Sequence, residues 1–281
     1  MGKIFDALEK ASRQTLQKGS SIPGTNKIKV NGHAGKGIVV PFADPKNFMP
    51  EQNLDRNLVV FHDPQSMEAE LFKVLKTNLL FPSSGNPPKS IMITSAIPGD
   101  GKSFVSSNLA ISISQGIEDH VLLIDADIRN PSIGKYFNIE RHEGLSEYLA
   151  KGSDVSKNFV KTPVEKLTVL PAGTPPRNPT ELLTTQKMKA LLGEVAKRYD
   201  DRYIIIDSAP PSLAPETAAI SQYVDGIIIV IKAGKTPRSA VSEVIEQLGK
   251  EKILGLVLNY SDQSVKKYYG YGKPYYRKEA E

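Results

Sequence analysis

The chain has 281 residues, with 36 Lys and Arg against 31 Asp and Glu and a formal net charge of +5. This length is ample for one large α/β domain with extensions. Because there is no cysteine, disulfides and thiolate metal sites are excluded, which fits a reducing compartment such as the cytoplasm. No apolar run approaches the roughly 20 residues of a membrane-spanning helix. The predicted helices show no basic stripe, so we do not expect a nucleic-acid partner.

The N-terminal part of the chain divides into a short helix and a linker. Residues 1–18 have helical periodicity, and their apolar side chains fall near one face: Ile4, Phe5, Leu8, Ala11 and Leu16. Two interpretations stay open, a helix that docks on a partner or membrane surface and a helix that packs on its own domain. Residues 19–57 are rich in Gly, Pro, Asn and Lys without lasting periodicity, which predicts a flexible linker.

The folded domain is expected over residues 58–262, beginning with a helix. Asp63 and Pro64 are typical of a helix start, with Asp as the N-cap and Pro at the first helical position. An apolar stripe at helical spacing follows, made of Met67, Leu71, Val74, Leu75 and Leu79. This helix precedes the first core strand.

The stretch from Ser90 to Phe104 reads as a short apolar strand, a glycine-containing turn and a helix start. Glycines in such a turn let successive N–H groups point at an anion at the helix N-terminus. In the pattern G-x-x-x-x-G-K-[ST], Lys102 would reach the β- and γ-phosphates and Ser103 would bind Mg²⁺, although Ala96 replaces the first glycine. We interpret the turn as a phosphate-binding loop, against the alternative of a plain structural turn.

Further apolar runs alternate with helical segments along the rest of the chain. The predicted strands are His120–Asp125, Tyr203–Asp207, Gly226–Ile231 and Ile253–Asn259. Helices are predicted from about Pro237 to Gly249 and from Asn178–Pro179 onward. Runs that are apolar at every position indicate a parallel sheet with helices on both faces, and such sheets bind ligands at the carboxyl ends of their strands. The predicted fold class is therefore α/β, with a mostly parallel sheet.

Three aspartates follow predicted strands, namely Asp125, Asp127 and Asp207. They are expected at the sheet edge that carries the phosphate-binding loop. Phosphoryl transfer needs Mg²⁺ to neutralise phosphate charge and a carboxylate that orients or deprotonates the nucleophile. Each aspartate has a structural alternative, since it can cap a helix or accept backbone N–H groups. Arg129 can face either a phosphate or an acidic neighbour.

Three segments in this order resemble the Walker A, A′ and B motifs of the bacterial tyrosine kinases, within the P-loop NTPase-like fold. They are Thr94–Ser103, Leu122–Pro131 and Ile204–Pro211. The flanking segments Gly144–Leu149, Leu170–Leu183 and Ile253–Asn259 are also similar to segments of that family. The resemblance extends from about Glu68 to the end of the chain.

The resemblance implies ATP and Mg²⁺ as cofactors and assigns roles to matched residues. The catalytic set would be Lys102, Asp125, Asp127 and Asp207, with Asp125 as the candidate general base. Mg²⁺ would be held by Ser103, Asp125 and Asp207, directly or through water. The nucleotide would be bound by Pro98, Gly99, Asp100, Gly101, Lys102, Ser103 and Phe104, with Asn259 near the adenine.

Residues 263–281 form a tyrosine-rich tail, and six of the 11 tyrosines lie from Tyr260 onward. The resemblance makes this tail the phosphoacceptor set, namely Tyr268, Tyr269, Tyr271, Tyr275 and Tyr276. Two other interpretations are an aromatic tail that stacks on a partner and plain Gly/Tyr low complexity.

The related partition and septum-site ATPases share the three motifs and are the alternative assignment, as ATP-driven assembly switches. They carry an extra lysine early in the loop, where this chain has Ile97, and they need no tyrosine tail. Family members assemble, in some cases into rings, through a Glu-x-x-Arg-x-x-Arg helix, which here reads Glu70, Lys73 and Lys76.

The kinase resemblance further implies a separate transmembrane activator, a polysaccharide co-polymerase, and a cognate tyrosine phosphatase as partners. Its expected setting is the cytoplasmic face of the plasma membrane, in exopolysaccharide or capsule synthesis and export.

Overall fold

The computed structural model describes residues 54–139, 142–152, 154–198 and 202–261. The predicted N-terminal helix, the linker up to residue 53 and the tyrosine-rich tail lie outside these residues. No helix in the described ranges is long and apolar enough to cross a membrane.

Helices and strands alternate through most of the described chain, as the sequence predicts. The helices are α1 (Val59–His62), α2 (Met67–Leu80), α3 (Lys102–Ser114), α4 (Ile133–Tyr136), α5 (Leu145–Lys151), α6 (Pro179–Leu183), α7 (Gln186–Arg198), α8 (Glu216–Ser221) and α9 (Arg238–Leu248). The strands are β1 (Ser90–Ser95), β2 (His120–Asp125), β3 (Val160–Lys161), β4 (Leu167–Leu170), β5 (Arg202–Asp207), β6 (Gly226–Lys232) and β7 (Ile253–Asn259).

The strands form one sheet in the order β3-β4-β2-β5-β1-β6-β7. All neighbouring pairs are parallel except β3 with β4, which are antiparallel. The predicted α/β class with a mostly parallel sheet is confirmed. The short strands β3 and β4 and the short helices α1, α4, α5 and α8 were not predicted, because none of them carries a long apolar run with its own start signal. The helix predicted from Asn178–Pro179 onward is divided into α6 and α7.

Side chains alternate between the two faces of the sheet, and each face has its own core. One core contains Leu122 and Ile124 with α5 to α9, and the other contains Val121 and Leu123 with α1 to α4. This double burial explains why the central strands are apolar at successive positions. It also leaves the carboxyl ends of β1, β2 and β5 as the place where polar residues meet.

The folded region begins earlier than Leu58, the boundary that the sequence predicts. Leu54 is buried, and the backbone N–H of Asp55 donates to the carbonyl of Tyr136 at 3.0 Å. The following helix α1 is fixed by Asn108 of α3, whose Oδ1 accepts the N–H of Val60 at 3.1 Å. At least four residues assigned to the linker therefore belong to the domain.

Helix α2 also differs from the prediction at its start and on its surface. Asp63 and Pro64 precede it, and the N-cap is Ser66, whose Oγ accepts the N–H of Ala69 at 3.2 Å. Only part of the predicted apolar stripe is buried: Leu79 is buried and Leu75 packs against the core, but Met67, Leu71 and Val74 are 47%, 44% and 42% exposed. Residues that the helix does bury include Ala69, Phe72, Leu79 and Leu80.

A buried carboxylate holds the loop after β4 against the N-terminus of α5. Glu147 accepts the N–H of Gly144 at 2.8 Å and the N–H of Thr174 at 3.0 Å. Gly173, at φ +78°, lies so close that a Cβ there would collide with the Glu147 carboxylate. Burial alone would raise the pKa of Glu147, but the backbone donors outweigh it and lower the pKa to about 2.

We expect Glu147→Gln to make the domain less stable at neutral pH, by about 2 kcal/mol, the scale of hydrogen bonds to a charged group. A lowered folded-state pKa gives stability that is present above the usual Glu value and is lost as pH falls towards 2. The difference in free energy of unfolding between wild type and variant should therefore shrink between about pH 5 and pH 2. Urea titrations across this range measure it, and a difference that stays constant would contradict the account.

Candidate active site

The loop between β1 and α3 depends on two glycines with left-handed backbone. Gly99 has φ +83°, and Gly101, the N-cap of α3, has φ +93°. A side chain at Gly101 would also collide with the amide of Asn259. Only glycine avoids the conformational cost at these positions, so the loop can curve and turn N–H groups towards an anion.

The loop is braced from behind by two residues that the sequence assigns to nucleotide binding. Asp100 is fully buried and its Oδ1 accepts the hydroxyl of Thr236 at 2.7 Å. The Nδ2 of Asn259 donates to the carbonyl of Asp100 at 2.9 Å. Asp100 therefore fixes the loop to the turn after β6 and Asn259 fixes it to β7, and a direct contact of either with nucleotide stays a prediction.

Lys102 lies between two carboxylates at the start of α3. Its Nζ is 2.8 Å from Asp127 Oδ2 and 3.8 Å from Asp207 Oδ2. Burial disfavours the ammonium, but the charges of Asp207 and Asp127 outweigh burial and raise the pKa of Lys102 above its usual value. The side chain is thus a permanent cation that can bind a phosphate.

Asp207, at the end of β5, is fully buried and accepts two hydroxyl groups of α3. Ser103 Oγ donates to Oδ2 at 2.6 Å, and Ser106 Oγ donates to Oδ1 at 2.9 Å. Ser132 Oγ in turn donates to Ser103 Oγ at 2.7 Å. Burial raises the pKa of Asp207, while Lys102 and the hydrogen bond from Ser103 oppose this shift. The pair of Ser103 and Asp207 brings a hydroxyl and a carboxylate oxygen together as the motif predicts.

Asp125, the candidate general base, is held by two backbone N–H groups. It is fully buried, with Oδ1 accepting the N–H of Asp127 at 3.2 Å and Oδ2 accepting the N–H of Ile133 at 3.1 Å. Burial and the charge of Asp207 raise its pKa well above the usual range. Both oxygens therefore shape the segment from β2 to α4, and a role of Asp125 as general base stays a prediction.

A cavity of about 340 Å³, the loop cavity, opens beside these residues. From the predicted site it is lined by Pro98, Gly99, Gly101, Lys102, Ser103, Phe104 and Asp127. Sequence reasoning missed other lining residues, among them Ser132, Tyr136, Leu213 and Tyr260. Burial and the nearby charge of Asp55 raise the pKa of Tyr136 to about 12, so that its phenol stays protonated.

Arg129 lines the same cavity and meets an acidic neighbour, one of the two partners that the sequence leaves open. Its Nε donates to Glu216 Oε1 at 2.7 Å, and its Nη2 donates to Thr180 Oγ1 at 2.8 Å. Glu216 is only 2% exposed, so this ion pair is partly shielded from solvent. The contact fixes the guanidinium at the cavity wall.

The residues fit a nucleotide with Mg²⁺. Lys102 and the glycine loop at the N-terminus of α3 can bind phosphate oxygens. The hydroxyl of Ser103 and the carboxylate of Asp207 are the hard oxygen ligands that Mg²⁺ prefers. No group of three or more His, Asp or Glu in the described residues is arranged to hold a metal. Mg²⁺ would therefore depend on phosphate oxygens and water for its other ligands.

Comparison with known proteins agrees with this geometry. A family model described as an AAA domain matches residues 88–253. Tyrosine-protein kinase YwqD of Bacillus subtilis is 37% identical over 221 residues, which cover 78% of this chain and 92% of that protein.

Solved structures of tyrosine kinase domains are also similar to this chain. The kinase domain of the Escherichia coli tyrosine kinase ETK aligns with a TM-score of 0.67 and 30% identity, covering 75% of this chain and 84% of that chain. The cell division ATPase MinD of Pyrococcus furiosus aligns with a TM-score of 0.51 at 20% identity, covering 62% and 74%, which shows the fold alone. The chain belongs to the bacterial tyrosine-protein kinase family, as the three motifs and their meeting at one sheet edge indicate.

Proposed function

We propose that this chain is an ATP-dependent tyrosine autokinase that phosphorylates its own C-terminal tyrosines. The observation that carries the proposal is the cluster of Lys102, Asp127, Asp207 and Ser103 at the mouth of a glycine loop. This cluster offers a cation for phosphate oxygens, oxygen ligands for Mg²⁺ and a carboxylate beside the transfer site.

The loop cavity is proposed to hold ATP, with the phosphates at the loop and the base towards the aromatic side chains Phe104, Tyr136 and Tyr260. Lys102 would bind the β- and γ-phosphates, in place of part of its contact with Asp127. Ser103 and Asp207 would hold Mg²⁺, which when bound neutralises charge on the phosphate oxygens.

In the proposed transfer, the tyrosine oxygen forms a bond to the γ-phosphorus while the bond from that phosphorus to the departing ADP oxygen breaks. The phenolic proton passes to a carboxylate and then to water. We assign this proton to Asp127, because Asp127 lines the loop cavity and Asp125 is not among its lining residues. Asp125 then acts by fixing the segment that carries Asp127.

The path of the chain supports the tail as acceptor. Tyr260 follows β7 directly and lines the loop cavity, so the described chain ends at the mouth of the site. Tyr268 follows eight residues later, a span of up to about 27 Å when extended. A tail tyrosine can thus reach the site of its own chain or that of a neighbour.

The alternative, an ATP-driven assembly switch without tyrosine modification, shares the need for Lys102. It leaves the tyrosine-rich tail unexplained, and Ile97 stands where the partition and septum-site ATPases carry their extra lysine. No observation on the described residues favours it over the kinase.

We propose homo-oligomers, including rings, through helix α2. The exposed stripe of Met67, Leu71 and Val74 offers an apolar surface for a second copy. The charged residues that align with the Glu-x-x-Arg-x-x-Arg motif contact their own chain. Lys73 pairs with Glu70 at 2.7 Å, and Lys76 Nζ donates to the carbonyl of Ser112 at 3.1 Å. Apolar contact, not ion pairing, would therefore hold the copies together.

The wider setting is also proposed from the family. A separate transmembrane activator would recruit the chain to the cytoplasmic face of the plasma membrane, and a cognate phosphatase would reverse the modification. The process would be exopolysaccharide or capsule synthesis and export.

The kinase proposal predicts phosphate on the protein after incubation with Mg-ATP. Intact mass should rise in steps of one phosphate in the wild type, and Lys102→Met should show no increase because the cation for the β- and γ-phosphates is lost. Asp207→Asn should lose most of the activity, on the order of 100-fold or more for a group that stabilises transferred charge. Circular dichroism serves as the control for folding, and equal phosphate in wild type and Lys102→Met would refute the assignment.

The oligomer proposal predicts that a charge in the apolar stripe separates the copies. Light scattering of Leu71→Glu should give a smaller particle than the wild type, because a carboxylate would have to be buried in the contact. The matched control is Thr77→Glu, which adds the same charge to an exposed site of α2 outside the stripe. Equal particle sizes for wild type and Leu71→Glu would exclude this surface.

A further inference from the structure

Strand β7 forms one edge of the sheet and exposes apolar side chains. Within the described residues it has β6 as its neighbour on one side and no strand on the other. Leu254, Leu256 and Leu258 are 42%, 51% and 59% exposed, and we name these three the leucine row. Proteins usually cover or charge such an edge, because an open apolar strand pairs readily with another segment of chain. The leucine row therefore calls for a partner.

The backbone of β7 is also open on its outer side. The carbonyl of Asn259 accepts the N–H of Ala233 at 2.8 Å, so Asn259 turns its polar backbone groups towards β6. Because these groups alternate in direction along a strand, those of Leu256 and Leu258 point away from the sheet. Leu256 pairs in register with Ile229, which belongs to the core on the α9 side. Leu256 thus extends that core to the open edge.

The described chain begins near the carboxyl end of β7. The N–H of Asp55 donates to the carbonyl of Tyr136 at 3.0 Å. Tyr136 lines the loop cavity together with Tyr260, which directly follows β7. The chain that precedes Leu54 therefore joins the domain close to the place where β7 ends.

The sequence before Leu54 contains one segment with the composition of a strand. Ile38, Val39 and Val40 are the only three successive β-branched apolar residues in positions 1–53, and Pro41 and Phe42 follow them. Branched side chains of this kind are enriched in strands. Proline within a sheet is confined largely to edge strands, which is the position that a strand outside β7 would take.

Residues 38–42, the 38–42 segment, can reach the leucine row. Phe42 precedes Leu54 by 12 positions, a connection that spans up to about 40 Å when extended. Strand β7 has seven residues and is therefore about 23 Å long. The connection thus allows the segment to lie along β7 in either direction. A tether of this length holds the segment at a roughly millimolar effective concentration.

Two other occupants fit the leucine row less well. A second copy of the chain would gain little, because three half-exposed leucines are a small surface beside the roughly 800 Å² that each partner buries in a stable dimer. The C-terminal tail also starts next to β7, but Gly270, Gly272 and Pro274 interrupt its tyrosines, and these residue types are depleted in strands. The 38–42 segment has neither disadvantage.

We infer that the 38–42 segment adds to the sheet as an eighth strand, paired with β7 and covering the leucine row. The outward backbone groups of β7 would supply the hydrogen bonds, and the branched side chains would bury the leucines. Docking would restrain Asn259, which braces the phosphate-binding loop. It would also shorten the free linker after the predicted N-terminal helix to residues 19–37. This docking does not depend on the proposed kinase activity.

The test uses pairs of cysteines in the full-length protein, which has none of its own. One cysteine replaces Ile38, Val39 or Val40, and the other is Leu256→Cys or Leu258→Cys. A disulfide needs Cβ atoms about 4 Å apart, which is near the spacing of paired strands. After mild oxidation, electrophoresis without reductant separates cross-links within one chain from those between chains, and mass spectrometry of the fragments identifies the pair.

We expect cross-links within one chain that alternate along the segment. Yield should be high at Val39 alone or at its neighbours alone, with a difference of about fivefold or more, because successive side chains of a strand face opposite sides. The matched control pairs the same sites with Ile117→Cys, an apolar residue that is 95% exposed and lies outside β7. These control pairs should give background yields.

Hydrogen exchange gives a second measurement without cysteines. The amides of Leu256 and Leu258 should exchange about tenfold or more slowly in the wild type than in the double variant Ile38→Asp with Val40→Asp, because the added strand protects them. Amides of β6 that bond within the described sheet should be unchanged and serve as the internal reference.

Equal cross-linking at all three positions of the segment, or yields no higher than those of the Ile117→Cys pairs, would overturn the inference. So would equal exchange of the Leu256 and Leu258 amides in wild type and double variant. Cross-links between chains, or a disulfide dimer of Leu256→Cys alone, would assign the row to a second copy. A cross-link of Leu256→Cys with Val265→Cys, in place of the segment, would assign it to the tail.

Discussion

The buried contact of Lys102 with Asp127 and Asp207 is the interaction on which the site depends. Each of these charges is largely removed from water, and such groups are tolerated only when paired. The sheet brings them together because β2 and β5 run in parallel with Asp125 opposite Asp207, and α3 starts at the same edge. A phosphate that enters this cluster meets a cation already fixed in place, so little reorganisation is needed.

The structure divides the three aspartates by their surroundings. Asp207 accepts serine hydroxyls and Asp127 faces the loop cavity, while Asp125 accepts two backbone N–H groups and holds the intervening segment in shape. Arg129, at the end of that segment, lines the loop cavity as well and is fixed there by Glu216.

The sequence predicted the sheet and the cluster well because both depend on local signals. Continuous apolar runs mark buried parallel strands. The carboxyl ends of such strands lie at one edge of the sheet, whatever the conformation of the loops. Tyr136 and Tyr260 were missed, since the one lies on the single-turn helix α4 and the other directly follows β7, and neither position has a periodic signature. The bracing contacts of Asp100 and Asn259 could not be predicted, because they join the loop to residues more than 100 positions away in the sequence.

The most direct test of the account is the fate of the γ-phosphate. Full-length protein is incubated with Mg-ATP labelled at that phosphate, and label on protein tyrosine is measured beside released inorganic phosphate. We predict label on Tyr268, Tyr269, Tyr271, Tyr275 and Tyr276, and its loss when all five are changed to phenylalanine. ATP turnover that yields inorganic phosphate alone, with no labelled tyrosine, would contradict the account and favour the assembly switch.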